Sequence, residues 1–349
     1  MQTVWGSPYF LGWASTGGPA SITGDPEGGS MPDGLRRTRP LGGTELEVSV
    51  MSLGSWRTFE RLPADTGVAI MRAAREEGVN FFDDARYNDE TGTAPMPTGY
   101  SEVVFGNLFR GAGVPRDQAV VANKLWWEFW PEQSAAAELD GSLERMWFGH
   151  VDLIYANEPP PGLSVADLVA DTAALVTAGK ARAWGLVNWA AELAVQAVDA
   201  AAELGVMPPC AIQLPYSLVR RSWVEDAVMG QALESSGAGL IASFCLAGGV
   251  LSGKYRDGQA AGRAAGALGE PRYAAATAAA GDLGRLAERL GTTAAALALA
   301  FPLSNPATAS VLFGATSPEQ LRANCAAAGL LDRLGPDDVA ELVGITGQR

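Results

Sequence analysis

The 349-residue chain carries a formal charge of −14 and an isoelectric point near 4.6. That balance excludes a nucleic-acid binder, which needs clustered Lys and Arg, and argues against docking on an anionic membrane surface. Hydrophobic residues make up 48%, enough for a large core, and a single histidine, His150, excludes His-based metal sites and Ser-His-Asp catalysis.

Residues 1–34 are rich in Gly, Ser and Pro without periodicity, so a disordered extension is expected there. Met31 is a second candidate start, and Trp5, Tyr9, Phe10 and Trp13 leave docking of this segment open. No cationic start followed by an apolar stretch marks a signal peptide, and no run of about eighteen apolar residues marks a membrane span. Cys210, Cys245 and Cys325 are odd in number and far apart, which fits neither a disulfide framework nor a metal-site spacing. A reducing cytoplasm is therefore expected.

From residue 35 onward the pattern becomes regular, and residues 35–349 are expected to form one domain. A hairpin is predicted over Arg37 to Leu41 and Leu46 to Val50, around Gly42-Gly43. Strands are then predicted at Val50–Leu53, Asn80–Asp83, Ala119–Asn123, Val151–Ala156, Ala183–Val187, Ala211–Leu214, Gly239–Ala242 and Ser310–Phe313. Helical patterns alternate with them near 65–77, 101–111, 133–147, 164–179, 190–204, 223–236, 284–300 and 317–329, and an extra helix near 336–343 closes the chain. Eight strand–helix repeats predict an α/β fold, a closed (β/α)8 TIM barrel. The open dinucleotide-binding sheet is excluded because the first strand runs into Gly54-Ser55-Trp56-Arg57 and not a GxGxxG turn. Long connections near 84–100 and 243–275 belong to the catalytic face.

Polar residues gather at the C-terminal ends of these strands: Asp83, Lys124 and Asn157, with Tyr87 in the loop after Asp83. A phenol is a weak acid at neutral pH, and a nearby ammonium favours its deprotonated form. Tyr87 is thus a candidate general acid, Lys124 the group that tunes it, and Asp83 the partner of Lys124. Each also has a plainer use, as a strand-end cap, a packing ring or a solvated amine. The run Trp126-Trp127-Glu128-Phe129-Trp130 is either an apolar substrate wall or packing over the barrel rim. His150 lies seven residues before Asn157, up to about 23 Å away in an extended strand, so it is expected at the opposite end.

Several stretches carry a resemblance: Leu46-Glu47-Val48-Ser49, Gly78-Val79-Asn80-Phe81-Phe82-Asp83, Gly99-Tyr100-Ser101-Glu102, Gly179-Lys180-Ala181-Arg182-Ala183-Trp184-Gly185, Gln213-Leu214-Pro215-Tyr216, Leu251-Ser252-Gly253-Lys254-Tyr255 and Gly314-Ala315-Thr316-Ser317-Pro318-Glu319-Gln320-Leu321. On these the chain resembles the aldo-keto reductase family, nicotinamide-dependent carbonyl reductases with a (β/α)8 fold. The resemblance implies catalytic roles for Asp83, Tyr87 and Lys124, with Tyr100 a rival acid because the loop is one residue short. It aligns the family's usual catalytic His with Asn157. The same exchange occurs in the branch that includes voltage-gated potassium channel β-subunits, which this chain also resembles around Gln213–Ser217 and Leu251–Tyr255. An Asn amide can still donate to a carbonyl oxygen but cannot become cationic.

For the cofactor, the resemblance implies NADP(H). Asn188 and Gln213 would hold the nicotinamide carboxamide, Tyr216 would stack on its ring, and Ser55 and Trp56 would lie near the ribose. Leu246, Ala247, Gly248, Lys254 and Arg263 would follow the pyrophosphate. Gly314, Thr316, Gln320 and Asn324 would hold the adenosine end beside a helix N-terminus. Val187, the Ser243-Phe244-Cys245-Leu246 run and Ala323 depart from the family pattern. The implied activity is reduction of an aldehyde or ketone in the cytoplasm. A cofactor-holding sensor subunit and a reductase of polarised C=C bonds are the alternatives, and a homo-oligomer is left open.

Overall fold

Side chains alternate inward and outward along eight short parallel strands, and this two-residue period decides what reaches the barrel axis. The computed structural model describes residues 37–89, 91–255 and 264–346. The expectations for residues 1–34 and Arg263 fall outside them.

The described chain opens with an antiparallel hairpin, β1 (Thr38–Pro40) and β2 (Glu47–Ser49), which pairs Thr38 with Ser49 and Pro40 with Glu47. The barrel strands follow: β3 (Met51–Gly54), β4 (Phe81–Asp83), β5 (Val120–Leu125), β6 (Val151–Ala156), β7 (Ala181–Val187), β8 (Ala211–Pro215), β9 (Gly239–Ser243) and β10 (Thr308–Phe313). They close in sequence order, with β10 pairing both β9 and β3. This is the expected α/β (β/α)8 fold with its N-terminal hairpin.

Two apolar layers result. Phe81, Ala122, Leu153, Tyr155, Ala183, Ala211 and Ile241 face inward and pack with Leu41, Leu46 and Val48, so the hairpin plugs one mouth of the barrel. Alternate residues such as Phe82, Val121, Ile154, Trp184, Ile212 and Leu240 face outward, against the helices.

Those helices are α1 (Ala64–Glu76), α2 (Tyr100–Gly111), α3 (Ala135–Met146), α4 (Val165–Thr177), α5 (Ala191–Leu204), α6 (Ala227–Ser236), α7 (Pro271–Arg289), α8 (Ala294–Ala300), α9 (Pro318–Cys325) and α10 (Pro336–Gly344). Several start where a short polar side chain satisfies the otherwise unpaired first-turn N–H groups. Ser134, Ser164, Thr293 and Ser317 each accept from the amide three residues on, and Asp226 accepts from Val228 and Met229.

The helix predicted over 284–300 is two helices. The chain leaves α7 after Arg289, with Gly291 at φ +61°, and Thr293 caps a separate α8. α7 also begins at Pro271, inside the stretch expected to be a long connection. Proline suits the first helical turn, where its missing N–H has no partner to lose.

Candidate active site

Strand parity brings Asp83, Lys124 and Gln213 to the inside of the barrel at its C-terminal end, one step beyond the inward Phe81, Ala122 and Ala211. Lys124 Nζ pairs with Asp83 Oδ1 through a short contact and donates to the Tyr87 hydroxyl at 3.3 Å. Gln213 Nε2 donates to the other oxygen, Asp83 Oδ2, at 2.9 Å. Asp83 and Lys124 are both nearly fully buried, so each needs the other: an unpaired buried charge is costly. The ammonium lies 5.7 Å from the ring centroids of both Tyr87 and Tyr155. Tyr155, opposite Lys124 on β6, is fully buried and its hydroxyl makes no hydrogen bond of normal geometry. Burial, followed by the charge of Asp83, pushes its phenol well above the usual range.

The start of α2 holds the Tyr87 loop. Ser101 Oγ donates to Ala85 O at 2.7 Å and accepts from Tyr87 N at 3.2 Å, and Gly99 N donates to Tyr87 O at 2.9 Å. Gly99 sits at φ +79°, and a Cβ there would lie 2.6 Å from Arg145 Nε. Next in line, the fully buried Glu102 accepts from Asn123 Nδ2 at 2.8 Å and from Arg145 Nε at 2.5 Å. The Gly99-Tyr100-Ser101-Glu102 stretch is therefore a brace. Tyr100 is its first helical residue, and its hydroxyl makes no hydrogen bond to Lys124.

Asp84, of opposite parity to Asp83, points away from the axis and accepts from Ser55 Oγ. Full burial, then the nearby Glu102, holds its carboxyl well above the ordinary range. Ser55 therefore turns its hydroxyl to Asp84, which leaves Trp56 to line the cleft.

Asn157 follows β6 and donates from Nδ2 to Leu125 O at 3.0 Å, while its backbone carbonyl accepts from Trp127 Nε1 at 3.2 Å. His150 precedes β6, with Nε2 4.0 Å from Asp152, at the other end of the strand.

A cleft of about 420 Å³ opens beside Tyr87, lined by Trp56, Arg86, Tyr87, Asn88, Trp126 and Glu128. The Tyr87 ring meets Trp56 at 6.4 Å and Trp126 at 6.0 Å between centroids. The aromatic run divides its duties: Trp126 lines the cleft, Trp127 is buried, and Phe129 lies under the Arg86 guanidinium at 5.0 Å. Glu138, buried on α3, accepts from Arg86 Nη2, Trp126 N and Trp127 N at 3.2, 2.9 and 3.2 Å. It ties the β4 loop to the β5 loop.

A model of the aldo/keto reductase family matches residues 50–346. The chain belongs to the aldo/keto reductase family. Its members carry out oxidation and reduction with nicotinamide cofactors.

Against that family, the cofactor positions fall in three groups. Asn188 and Gln213 are neighbours, joined by Asn188 N to Gln213 O at 2.9 Å, and Asn188 is exposed at φ +60°. Leu246, Ala247 and Gly248 form the turn after β9, where Phe244, Ala247, Gly248 and Gly249 all have positive φ. A Cβ on Gly249 would lie 2.9 Å from Lys254 Cε, so the bare glycine lets the lysine lie across this turn. Non-glycine residues at positive φ are uncommon and gather at functional sites. At the third group, Gln320 Oε1 accepts from Thr316 N and Oγ1 at 2.7 and 2.9 Å, after Gly314 and beside the N-terminus of α9. Asn324 is buried there with Nδ2 unpartnered among the described residues. An orphaned amide, an open glycine turn and an adjacent ammonium fit a dinucleotide.

Tyr216 is not brought to this site. Its ring packs on Phe301 at 5.2 Å and its hydroxyl donates to Glu225 at 2.9 Å, so burial pushes the phenol up to about 12. Parity explains this placement: three residues after the inward Gln213, Tyr216 faces out. The aromatic group at the cleft edge is instead Phe244, 5.3 Å from Trp56 and 46% exposed. Glu138 and Arg86 escaped the sequence reading, having no motif of their own, and Phe244 entered it only as part of a run that departs from the family pattern. Among the described residues, no His, Cys, Asp or Glu cluster could hold a metal ion, and no helix is long and apolar enough to cross a membrane.

Proposed function

We propose that the chain is an NADP(H)-dependent reductase of aldehydes and ketones, with Tyr87 the proton donor. The observation that carries this is the hydrogen bond from Lys124 to Tyr87 Oη at 3.3 Å, on the wall of an aromatic cleft. As the phenol releases its proton, the ammonium stabilises the charge left on oxygen, and Asp83, steadied by Gln213, keeps the ammonium in place. Asn157 has a second amide N–H to offer a substrate oxygen once Leu125 O has taken the first.

When bound, NADPH supplies the hydride. Asn188 and Gln213 would hold its carboxamide, and Trp56 would flank the ribose. The 246–248 turn with Lys254 would take the pyrophosphate, and Gly314, Thr316, Gln320 and Asn324 the adenosine end. Preference for the phosphorylated dinucleotide rests on Lys254 together with Arg263, which lies outside the described residues. A reducing, cytoplasmic setting belongs to the same proposal, supported by three unpaired, buried thiols.

One observation favours a second reading, a cofactor-holding sensor with little turnover. The Asn157 amide is tied to Leu125 O and cannot become cationic, so carbonyl polarisation is weaker than a histidine would give. The resemblance to channel β-subunits points the same way. NADPH oxidation across aldehydes, ketones and enones decides between them. Turnover of carbonyls that is lost in Tyr87→Phe, with NADPH binding retained, supports the reductase. Tight NADPH binding without turnover supports the sensor, and saturated ketones from enones assign C=C reduction.

A further inference from the structure

Building on the carbonyl-reductase reading, we propose that the substrate carries a protonated or quaternary amine beside a planar ring. In this proposal Glu128 and the faces of Trp56 and Trp126 form the site that recognises the cation.

The charges of the cleft carry the inference. Its lining holds one basic and one acidic side chain, Arg86 and Glu128. Arg86 is 5% exposed, and its Nη2 is divided between Glu128 Oε2 and Glu138 Oε1, both at 3.2 Å. One guanidinium thus serves two carboxylates. Glu138 is buried and committed to the Trp126 and Trp127 amides as well, so the incompletely balanced charge resides on Glu128, whose side chain is 44% exposed. Lys124 cannot offset it, being paired with Asp83. Arg57 lies over Trp56 at 5.4 Å but is not part of the cleft lining.

The walls suit the same ligand. Trp56 and Trp126 both line the cleft on either side of Tyr87, their rings inclined to its ring by 53° and 66°. Aromatic faces attract cations through their quadrupole, most strongly for tryptophan, and an adjacent carboxylate adds to the attraction. A volume of about 420 Å³ lies within the range of small-molecule sites. An anionic substrate would meet the exposed carboxylate and is disfavoured.

The test pairs isosteres. Benzyltrimethylammonium and neopentylbenzene differ by nitrogen for carbon, and their binding to the NADPH complex is read by tryptophan fluorescence. The wild type should bind the ammonium about tenfold more tightly, and Glu128→Gln should cut that preference to about threefold or less. Trp126→Leu should also reduce it. Equal binding of the two probes, or a preference unchanged in Glu128→Gln, overturns the proposal. If Glu128→Gln does not fold, the wild-type preference is compared at low and high salt, where it should weaken with salt. Turnover of 3-(trimethylammoniomethyl)benzaldehyde and 3-neopentylbenzaldehyde is followed in parallel. Ammonium preference without turnover of either aldehyde would overturn carbonyl reduction while leaving the cation site standing. Equal turnover of both would do the reverse.

Discussion

Gln213 donates to the oxygen of Asp83 that Lys124 does not use, so one carboxylate bridges an amide on β8 and an ammonium on β5. The residue proposed to hold the nicotinamide carboxamide thereby also orients the partner of Lys124, the lysine proposed to tune Tyr87. Gln213→Leu should cost about 1.5–3 kcal/mol of stability, the range for a hydrogen bond to a charged group. It should also weaken NADPH binding. Denaturant melts with and without NADPH separate the two losses; a variant impaired in only one would break the proposed link.

Lys124→Met leaves Asp83 charged and buried without its partner, and a loss of about 3–5 kcal/mol is expected. Adding Asp83→Asn should return much of that stability, because the uncompensated charge disappears. Neither variant should regain turnover, since the ammonium beside Tyr87 is gone. Tyr87→Phe should instead keep the melting temperature close to wild type and reduce kcat by about 10² to 10⁴, the usual share of general acid catalysis. Comparable kcat values for Tyr87→Phe and wild type, with loss in Tyr100→Phe, would move the role to Tyr100.

The barrel was legible because its strands are short apolar runs at regular spacing, and Val151–Ala156 matches its predicted bounds at both ends. The helix pattern over 284–300 misled because Ala and Leu continue on both sides of Gly291, while the break depends on one backbone angle and the Thr293 cap. Side-chain direction was the weaker point. Parity counted from Gln213 would have turned Tyr216 outward, and parity from Asp83 turns Asp84 toward Ser55. Tyr87 and Tyr100 could not be separated in the same way, because the loop between them is held by Ser101 Oγ, a contact with no periodic signature. The Glu138 brace was invisible for a related reason: it joins loops through backbone amides, which every residue possesses.

That brace gives a further expectation. Glu138 accepts three hydrogen bonds, from Arg86 and from two successive amides of the cleft wall. Glu138→Gln removes the buried one of the two carboxylates paired with Arg86 and weakens its hydrogen bonds to the guanidinium and the two amides, and a loss of about 1.5–3 kcal/mol is expected. With the Trp126 wall less fixed, KM for aromatic aldehydes should rise more than kcat falls, because Tyr87 keeps its own contacts to Ser101 and Lys124. Steady-state kinetics against an aromatic and a small aliphatic aldehyde check this. An equal change in KM for both would mean the brace does not shape the cleft wall.

Asp84 should give the fold a measurable pH dependence. Burial, then Glu102, raises its folded-state pKa well above that of an unfolded-chain aspartate. The native protein therefore keeps a proton that the unfolded chain has already released. This stabilising contribution is complete below the ordinary aspartate range and is lost as pH rises toward the raised folded value, at up to about 1.4 kcal/mol per pH unit. Asp84→Asn removes the titration while its side-chain oxygen can still accept from Ser55 Oγ. The stability of the variant relative to wild type should thus increase as pH rises from the ordinary aspartate range toward the raised folded value. Urea melts across that range would show a rising difference, and parallel profiles for the two proteins would mean that Asp84 ionises in the folded state as it does in the unfolded chain.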